Sequence, residues 1–208
     1  MLHKIISPLL VNSKSLLSFI GGVNLLFPIS LRYFLSKKVY PKYQDFHKNQ
    51  KIQCTRNGIN YELDLSQHLD HSIFFGLEEK SKNYIFNTVK SNFNCLDIGA
   101  NIGEVSLNLA KICTEGKIYA FEPTKNTFDK LSKNIQLNQF KNISAYNFGL
   151  GRSEAEFPIH QFQEGNDGAN RIIMNSETSQ NKVLEIIKIK NLDSISSEIP
   201  KIDLIKID

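Results

Sequence analysis

Between Cys95 and Leu109 the chain reads CLDIGANIGEVSLNL, which sets an acid, two glycines and a helix start within a single turn. Phe93, Cys95, Leu96 and Ile98 make a short apolar run closed by Asp97 and Gly99, the pattern of a parallel strand buried on both faces. Val105, Leu107, Leu109, Ala110 and Ile112 follow with helical spacing. Gly99 and Gly103 bracket the turn, where a missing Cβ allows a sharp bend and lets a ligand approach the main chain. The chemistry open to such a loop is cofactor binding, and the spacing narrows the cofactor. A dinucleotide loop, G-x-G-x-x-G, would need glycine where Asn101 and Glu104 stand. Asn101 adds bulk on the path of a diphosphate, and Glu104 puts negative charge at a helix N-terminus that would otherwise bind phosphate. S-adenosylmethionine has no phosphate and carries a sulfonium and an ammonium, so Asp97 attracts its amino acid end, directly or through water.

The next segment agrees. Lys117 to Pro123, KIYAFEP, is a second apolar strand that ends in Glu122, 25 positions beyond Asp97. In open α/β sheets an acid near that distance accepts the ribose hydroxyls. Pro123 stops the strand and Thr124 is the expected cap of the following helix. A plain strand-to-helix turn would explain the glycines alone, but not acids at the ends of two successive strands.

These residues belong to a longer stretch, roughly 60 to 208, that resembles the FkbM-type S-adenosylmethionine-dependent methyltransferases. HSIFFGLEE (His71 to Glu79) looks like that family's lead-in segment. LDIGANIGEVSLNLA, GKIYAFEPTKNTFDKLSKNIQLN, ISAYNFGLG, NLDSI and IDLIKID follow in the family's order, the last resembling the start of its K-x-D-V-E-G motif. The resemblance implies a doubly wound, mainly parallel, Rossmann-like α/β sheet and methyl transfer to a hydroxyl of a sugar or secondary metabolite. The expected cofactor residues are Glu78, Asp97, Gly99, Ala100, Asn101, Gly103, Glu122 and Asn147, with Asn147 near the adenine edge. Asp208, at the end of the fourth core strand, is the candidate base; its alternative is a solvated terminal carboxylate. A complete acidic motif there could orient the acceptor, act as base or hold a divalent metal. Because the sequence stops at Asp208, the expectation is a sheet whose C-terminal strands are missing, in a truncated member or one whose exposed edge an oligomeric partner covers. The second function class is a catalytically inactive remnant or cofactor-binding partner module; a nicotinamide dehydrogenase is a distant third.

Length and composition bound the rest. The chain has 208 residues, 41% apolar and 22% charged, enough for one good core. Three cysteines without metal-like spacing suggest a reduced, cytoplasmic protein. A net charge of +4 does not identify a nucleic-acid partner, and none is expected. Of the histidines, His68 and His71 alone fall within one helical turn, with no third ligand beside them. Three regions are expected: an apolar, basic helical extension over 1–50, a lead-in hairpin and helix over 51–92, and the cofactor domain over 93–208. In the first, LLSFIGGVNLLFPISLRYFL (Leu16 to Leu35) is long enough to span a bilayer, but Gly21, Gly22, Pro28 and Arg32 argue against a continuous span. Two short amphipathic helices on the domain are expected, with peripheral membrane contact through residues 1–40 as the alternative. Asn57 and Gly58 place a hairpin turn inside Lys51 to Leu65. Helices are expected over Glu78 to Lys90 and Thr124 to Leu137, strands over Ile143 to Phe148, Val183 to Ile189 and Ile202 to Ile207, and a hairpin or flap around Glu164 to Gly168.

Overall fold

The apolar N-terminus folds into three helices, α1 (Leu2–Asn12), α2 (Lys14–Asn24) and α3 (Ile29–Lys38), the last two falling on Leu16 to Leu35. Ser13 separates the first pair, its side chain accepting the Leu16 N–H at 3.3 Å as an N-cap. Pro28, with no N–H to leave unpaired, opens the third. The glycine pair does not break α2. Gly21 is buried there because the Phe74 ring takes the space of a side chain, 2.5 Å from where a Cβ would sit. Arg32 does not reach for solvent either; it ties the α2–α3 turn by donating to the carbonyls of Phe27 and Leu25 at 2.8 and 2.7 Å.

The computed structural model describes residues 2–48, 50–77, 80–173, 181–199 and 201–208. They divide into two compact units, Met1–Glu79 with Glu164–Asp167, and Lys80–Gln163 with Gly168–Asp208. The hairpin therefore groups with the N-terminal helices, and the helix after it with the sheet that carries the glycine loop. In the first unit β1 (Lys51–Arg56) and β2 (Ile59–Asp64) pair antiparallel, and Asn57 and Gly58 take φ of 51° and 72° at the turn, as a tight hairpin requires. Helix α4 (His68–Phe74) holds the beginning of HSIFFGLEE. No single described helix is long and apolar enough to cross a membrane, although Ile5–Asn12 and Lys14–Asn24 pass that test together across a 111° bend.

The second unit begins with α5 (Lys80–Thr88) and continues as β3 (Cys95–Ile98), α6 (Glu104–Ile112), β4 (Ile118–Phe121), α7 (Lys125–Asn138) and β5 (Ile143–Tyr146). Strands β6 (Gly149–Gly151), β7 (Ala155–His160), β8 (Arg171–Ile172) and β9 (Val183–Asn191) form a separate mixed sheet in the order β6-β9-β7-β8. The chain then returns through a 3-10 segment, Leu192–Glu198, to β10 (Leu204–Ile207). The main sheet is parallel in the order β10-β3-β4-β5. Helices α6 and α7 cover the face that carries Cys95, Ile118 and Ala120, while Leu192, Ile195 and Ile199 cover Leu96, Tyr119 and Phe121 on the other. This is the expected doubly wound, Rossmann-like α/β fold. The strand order reverses at β3, with β4 and β5 added on one side and β10 on the other, so the crevice beyond the carboxyl ends of β3 and β10 is a switch point where such sheets take ligands. β10 lies at the edge of this sheet, with Ile205 and Ile207 53% and 70% exposed.

His71 gives the first unit a pH-dependent stability. It is buried against Phe75 and Phe46, and its Nε2 lies 2.8 Å from the Pro41 carbonyl. Burial pushes its pKa down to about 4, partly countered by that carbonyl. The folded state therefore favours the neutral ring: its contribution is complete above the ordinary value near 6.5 and is lost as pH falls toward about 4. Urea melts between those limits should lose up to ~3 kcal/mol in the native chain and much less in a His71→Asn variant.

Candidate cofactor site

The loop read from Gly99 to Glu104 forms as a sequence of backbone turns that few residues tolerate. Gly99, Asn101 and Gly103 take φ of 76°, 50° and 95°. The side chain of Asn101 stabilises its own left-handed turn, Oδ1 accepting the Ile102 N–H at 2.8 Å. The N–H groups of Gly99 and Ala100 both donate to the Phe121 carbonyl at 2.9 Å, which fastens the loop to the end of β4. Ala100 is 5% exposed and packs with Ala120 and Leu131, so it builds the loop from below rather than facing a ligand as expected. At Gly103, the N-cap of α6, a Cβ would lie 2.7 Å from Leu131 Cδ1.

Glu122 closes the loop from the neighbouring strand. Its Oε2 accepts the Asn101 N–H at 3.0 Å and its Oε1 the Thr124 N–H at 2.9 Å. Burial raises its pKa, partly countered by these hydrogen bonds and by Lys206. Thr124 stands at the N-cap of α7 but makes no capping bond with its side chain; instead Glu185 of β9 accepts the Lys125 N–H at 3.0 Å. Asn147, expected at the adenine edge, has a supporting place: its amide donates to the carbonyls of Glu122 and Pro123 at 2.9 and 3.0 Å and fixes the turn after β4. Glu78 lies outside the described residues.

Two charges differ from the expectation. Glu104 is not a bare negative charge at the start of α6, because the Lys82 ammonium lies 2.6 Å from its Oε2. Asp97 is fully buried and already engaged within the chain: Ser106 Oγ donates to one oxygen, and Lys206 Nζ lies 2.9 Å from the other. The same ammonium reaches Asp208 Oδ2 at 2.8 Å and donates to the Gly99 carbonyl at 3.0 Å. Asp208 thus arrives beside the loop, and a Cβ on Gly99 would lie 3.2 Å from its own. Lys206 was not among the expected site residues. The signal was present in IDLIKID, where a lysine inside an apolar parallel strand must find a carboxylate partner. The structure thus brings Asp97, Gly99, Asn101, Gly103, Glu122 and Asp208 together around one loop. Among the described residues no group of three or more His, Cys, Asp and Glu side chains could hold a metal ion. A separate cleft of about 270 Å³ in the first unit, beside Tyr43, Phe46 and Gln67, contains none of these residues.

The family model described as "TRM5/TYW2 methyltransferase domain" matches residues 53–191. The chain is similar to Methyltransferase 1 of Beauveria bassiana (strain ARSEF 2860), 25% identical over 131 residues that cover 54% of this chain and 52% of the relative. It is also similar to Methyltransferase sdnD of Sordaria araneosa, 36% identical over 80 residues that cover 38% and 31%. The chain therefore spans about half or less of the length of these relatives. Among solved structures, P. horikoshii TYW2 in complex with MeSAdo aligns at 26% identity over 49% of this chain and 37% of that one, with a TM-score of 0.39.

The glycine geometry makes a direct prediction. Gly103→Ala combines a left-handed backbone with overlap on Leu131 and should lower stability by about 2–3 kcal/mol. Gly22→Ala, in α2 with nothing within 4 Å of the added carbon, should instead stabilise by about 0.5–1 kcal/mol. Chemical denaturation of both variants beside the parent chain checks the contrast.

Proposed function

The chain belongs to the TRM5/TYW2 methyltransferase domain family, and from that membership we propose that it is an S-adenosylmethionine-dependent methyltransferase whose cofactor lies across the carboxyl ends of β3 and β4. The observation that carries this reading is Glu122. The residue is 6% exposed and each carboxylate oxygen takes one backbone N–H, from Asn101 and Thr124. A carboxylate has room for about four donors, and with the Thr124 side chain as a third partner one ribose hydroxyl can be added without breaking these bonds. The left-handed turns at Gly99 and Asn101 leave main chain only partly buried, where a ligand can approach, and the Lys82–Glu104 pair leaves the start of α6 nearly neutral.

Bound S-adenosylmethionine supplies a methyl group on a sulfonium, and its transfer to an acceptor hydroxyl forms a C–O bond, breaks a C–S bond and releases the hydroxyl proton. The part of the protein is to align the two partners and to receive that proton. Asp208 is the residue we assign to the proton, its carboxylate 69% exposed at the end of β10. Its Oδ2 is already paired with the Lys206 ammonium at 2.8 Å, which leaves Oδ1 to meet the acceptor hydroxyl. The same pairing supports a second reading, a cofactor-binding partner module without catalysis. The finer part of the proposal rests on the FkbM-type resemblance of HSIFFGLEE and IDLIKID: the acceptor is a hydroxyl of a sugar or secondary metabolite.

Calorimetric titration with S-adenosylhomocysteine should give saturable binding that Glu122→Ala weakens about tenfold or more, with none for NAD. A folded chain that ignores S-adenosylhomocysteine, or takes NAD equally well, would overturn the reading. Transfer of label from S-adenosylmethionine to a panel of sugars and hydroxylated metabolites then separates the enzyme from the module.

For location, we propose a cytoplasmic protein with peripheral membrane attachment through residues 1–40. Ile5, Leu9, Phe19 and Phe34 on the short helices, and Leu26 in the turn before α3, are 58–81% exposed, and α2 and α3 also carry Lys14, Lys37 and Lys38. Apolar side chains beside lysines suit an anionic interface. The chain should sediment with phosphatidylserine vesicles and not with phosphatidylcholine vesicles, and a Phe19→Glu, Leu26→Glu double variant should stay in the supernatant. Equal recovery of the parent and the double variant on anionic vesicles would reject the attachment.

A further inference from the structure

The parallel register of β10 on β3 sets Lys206 directly beside Asp97, with both side chains on the face covered by α6. The lysine side chain is 11% exposed. Its Nζ lies 2.9 Å from Asp97 Oδ1, 3.0 Å from the Gly99 carbonyl oxygen and 2.8 Å from Asp208 Oδ2. The ammonium donates to the Gly99 carbonyl and is ion-paired with both carboxylates, although Asp97 Oδ1 takes no hydrogen bond of good geometry from it. Burial acts to lower the lysine pKa, but Asp97 and Asp208 outweigh it and raise the value, so the group stays charged at neutral pH.

The amino acid end of S-adenosylmethionine carries another primary ammonium, with the same charge and the same donor count. An acid at the end of the first strand and a main-chain carbonyl at the glycine turn are the acceptors such a group would use. Lys206 already holds both. Building on the cofactor reading above, we infer that Lys206 fills the ammonium subsite of the loop from within the chain and thereby sets specificity at the cofactor's amino acid end. Two ammonium groups cannot share Asp97 Oδ1 and the Gly99 carbonyl without strong repulsion in a buried place. The nucleoside end is untouched, because Glu122 lies on the neighbouring strand and keeps its own backbone partners. Lys206 is thus a determinant of how the amino acid tail is received, and a ligand without that tail meets no penalty.

The test compares S-adenosylhomocysteine, which has the amino acid tail, with 5′-methylthioadenosine, which lacks it. On the unaltered chain the two should bind within about threefold of each other, a difference well under 1 kcal/mol. Lys206→Met should raise affinity for S-adenosylhomocysteine about tenfold and leave 5′-methylthioadenosine unchanged. Tighter binding of S-adenosylhomocysteine than 5′-methylthioadenosine by a factor of about thirty on the unaltered chain overturns the inference without any variant. So does a Lys206→Met protein that loses S-adenosylhomocysteine while retaining 5′-methylthioadenosine, since the lysine would then be assisting the tail. Failure of both ligands on the unaltered, folded chain overturns the cofactor reading itself, and this inference with it. If Lys206→Met does not fold because Asp97 is left buried and unpaired, the comparison on the unaltered chain decides.

Discussion

A carboxylate and an ammonium stand side by side inside the parallel sheet, and the geometry of the loop depends on that pair. Asp97 is withdrawn from water completely, a cost of several kcal/mol for an unpaired charge. Lys206 offsets it because β10 lies in register on β3, while Ser106 donates to the other oxygen of the acid. The lysine then spends a further N–H on the Gly99 carbonyl, so the ion pair that steadies the strands also positions the turn. On the neighbouring strand Glu122 acts in the same manner, with two backbone N–H groups in place of an ammonium. Each acid at a strand end thus holds the loop from one side.

The first unit is held together by different means. Arg56 is buried and donates to the carbonyls of Ile73 and Phe74 with its Nε, at 3.2 and 3.0 Å, while its guanidinium lies 5.1 Å from the Phe74 ring centroid. Asn24, also buried, donates to the Phe75 carbonyl and accepts from the Tyr40 hydroxyl. Polar side chains therefore close the end of α4, a helix too short to satisfy its own carbonyls. The apolar residues left outside this network are the ones exposed on α1, α2 and α3.

Much of the second unit was legible in the residues because its signals are local. A strand buried on both faces has to be apolar throughout, a left-handed turn has to carry glycine or asparagine, and an acid ahead of a proline has to end its strand. Those constraints identified Asp97, Gly99, Asn101, Gly103 and Glu122. The second sheet was not legible. β7 and β9 pair across a long polar connection, and β6 joins β9 from a further distance, so no local pattern distinguishes them from further strands of the main sheet. The glycine pair in α2 misled for a related reason: the Phe74 ring that fills the space beside Gly21 is remote in sequence.

By itself, the sequence determined the α/β class, the order of the core strands and the residues of the glycine turn, since each follows from periodicity and from backbone angles that few residues can adopt. Only the tertiary structure decided what those residues do to one another. Whether Asp97 meets a ligand or a lysine depends on the register of β10 against β3, two segments separated by more than half the chain. Whether Asn147 binds an adenine or a pair of carbonyls depends on where β5 ends beside β4. Side-chain charge and size are written in the sequence, but the partner that neutralises a buried charge is chosen by strand pairing.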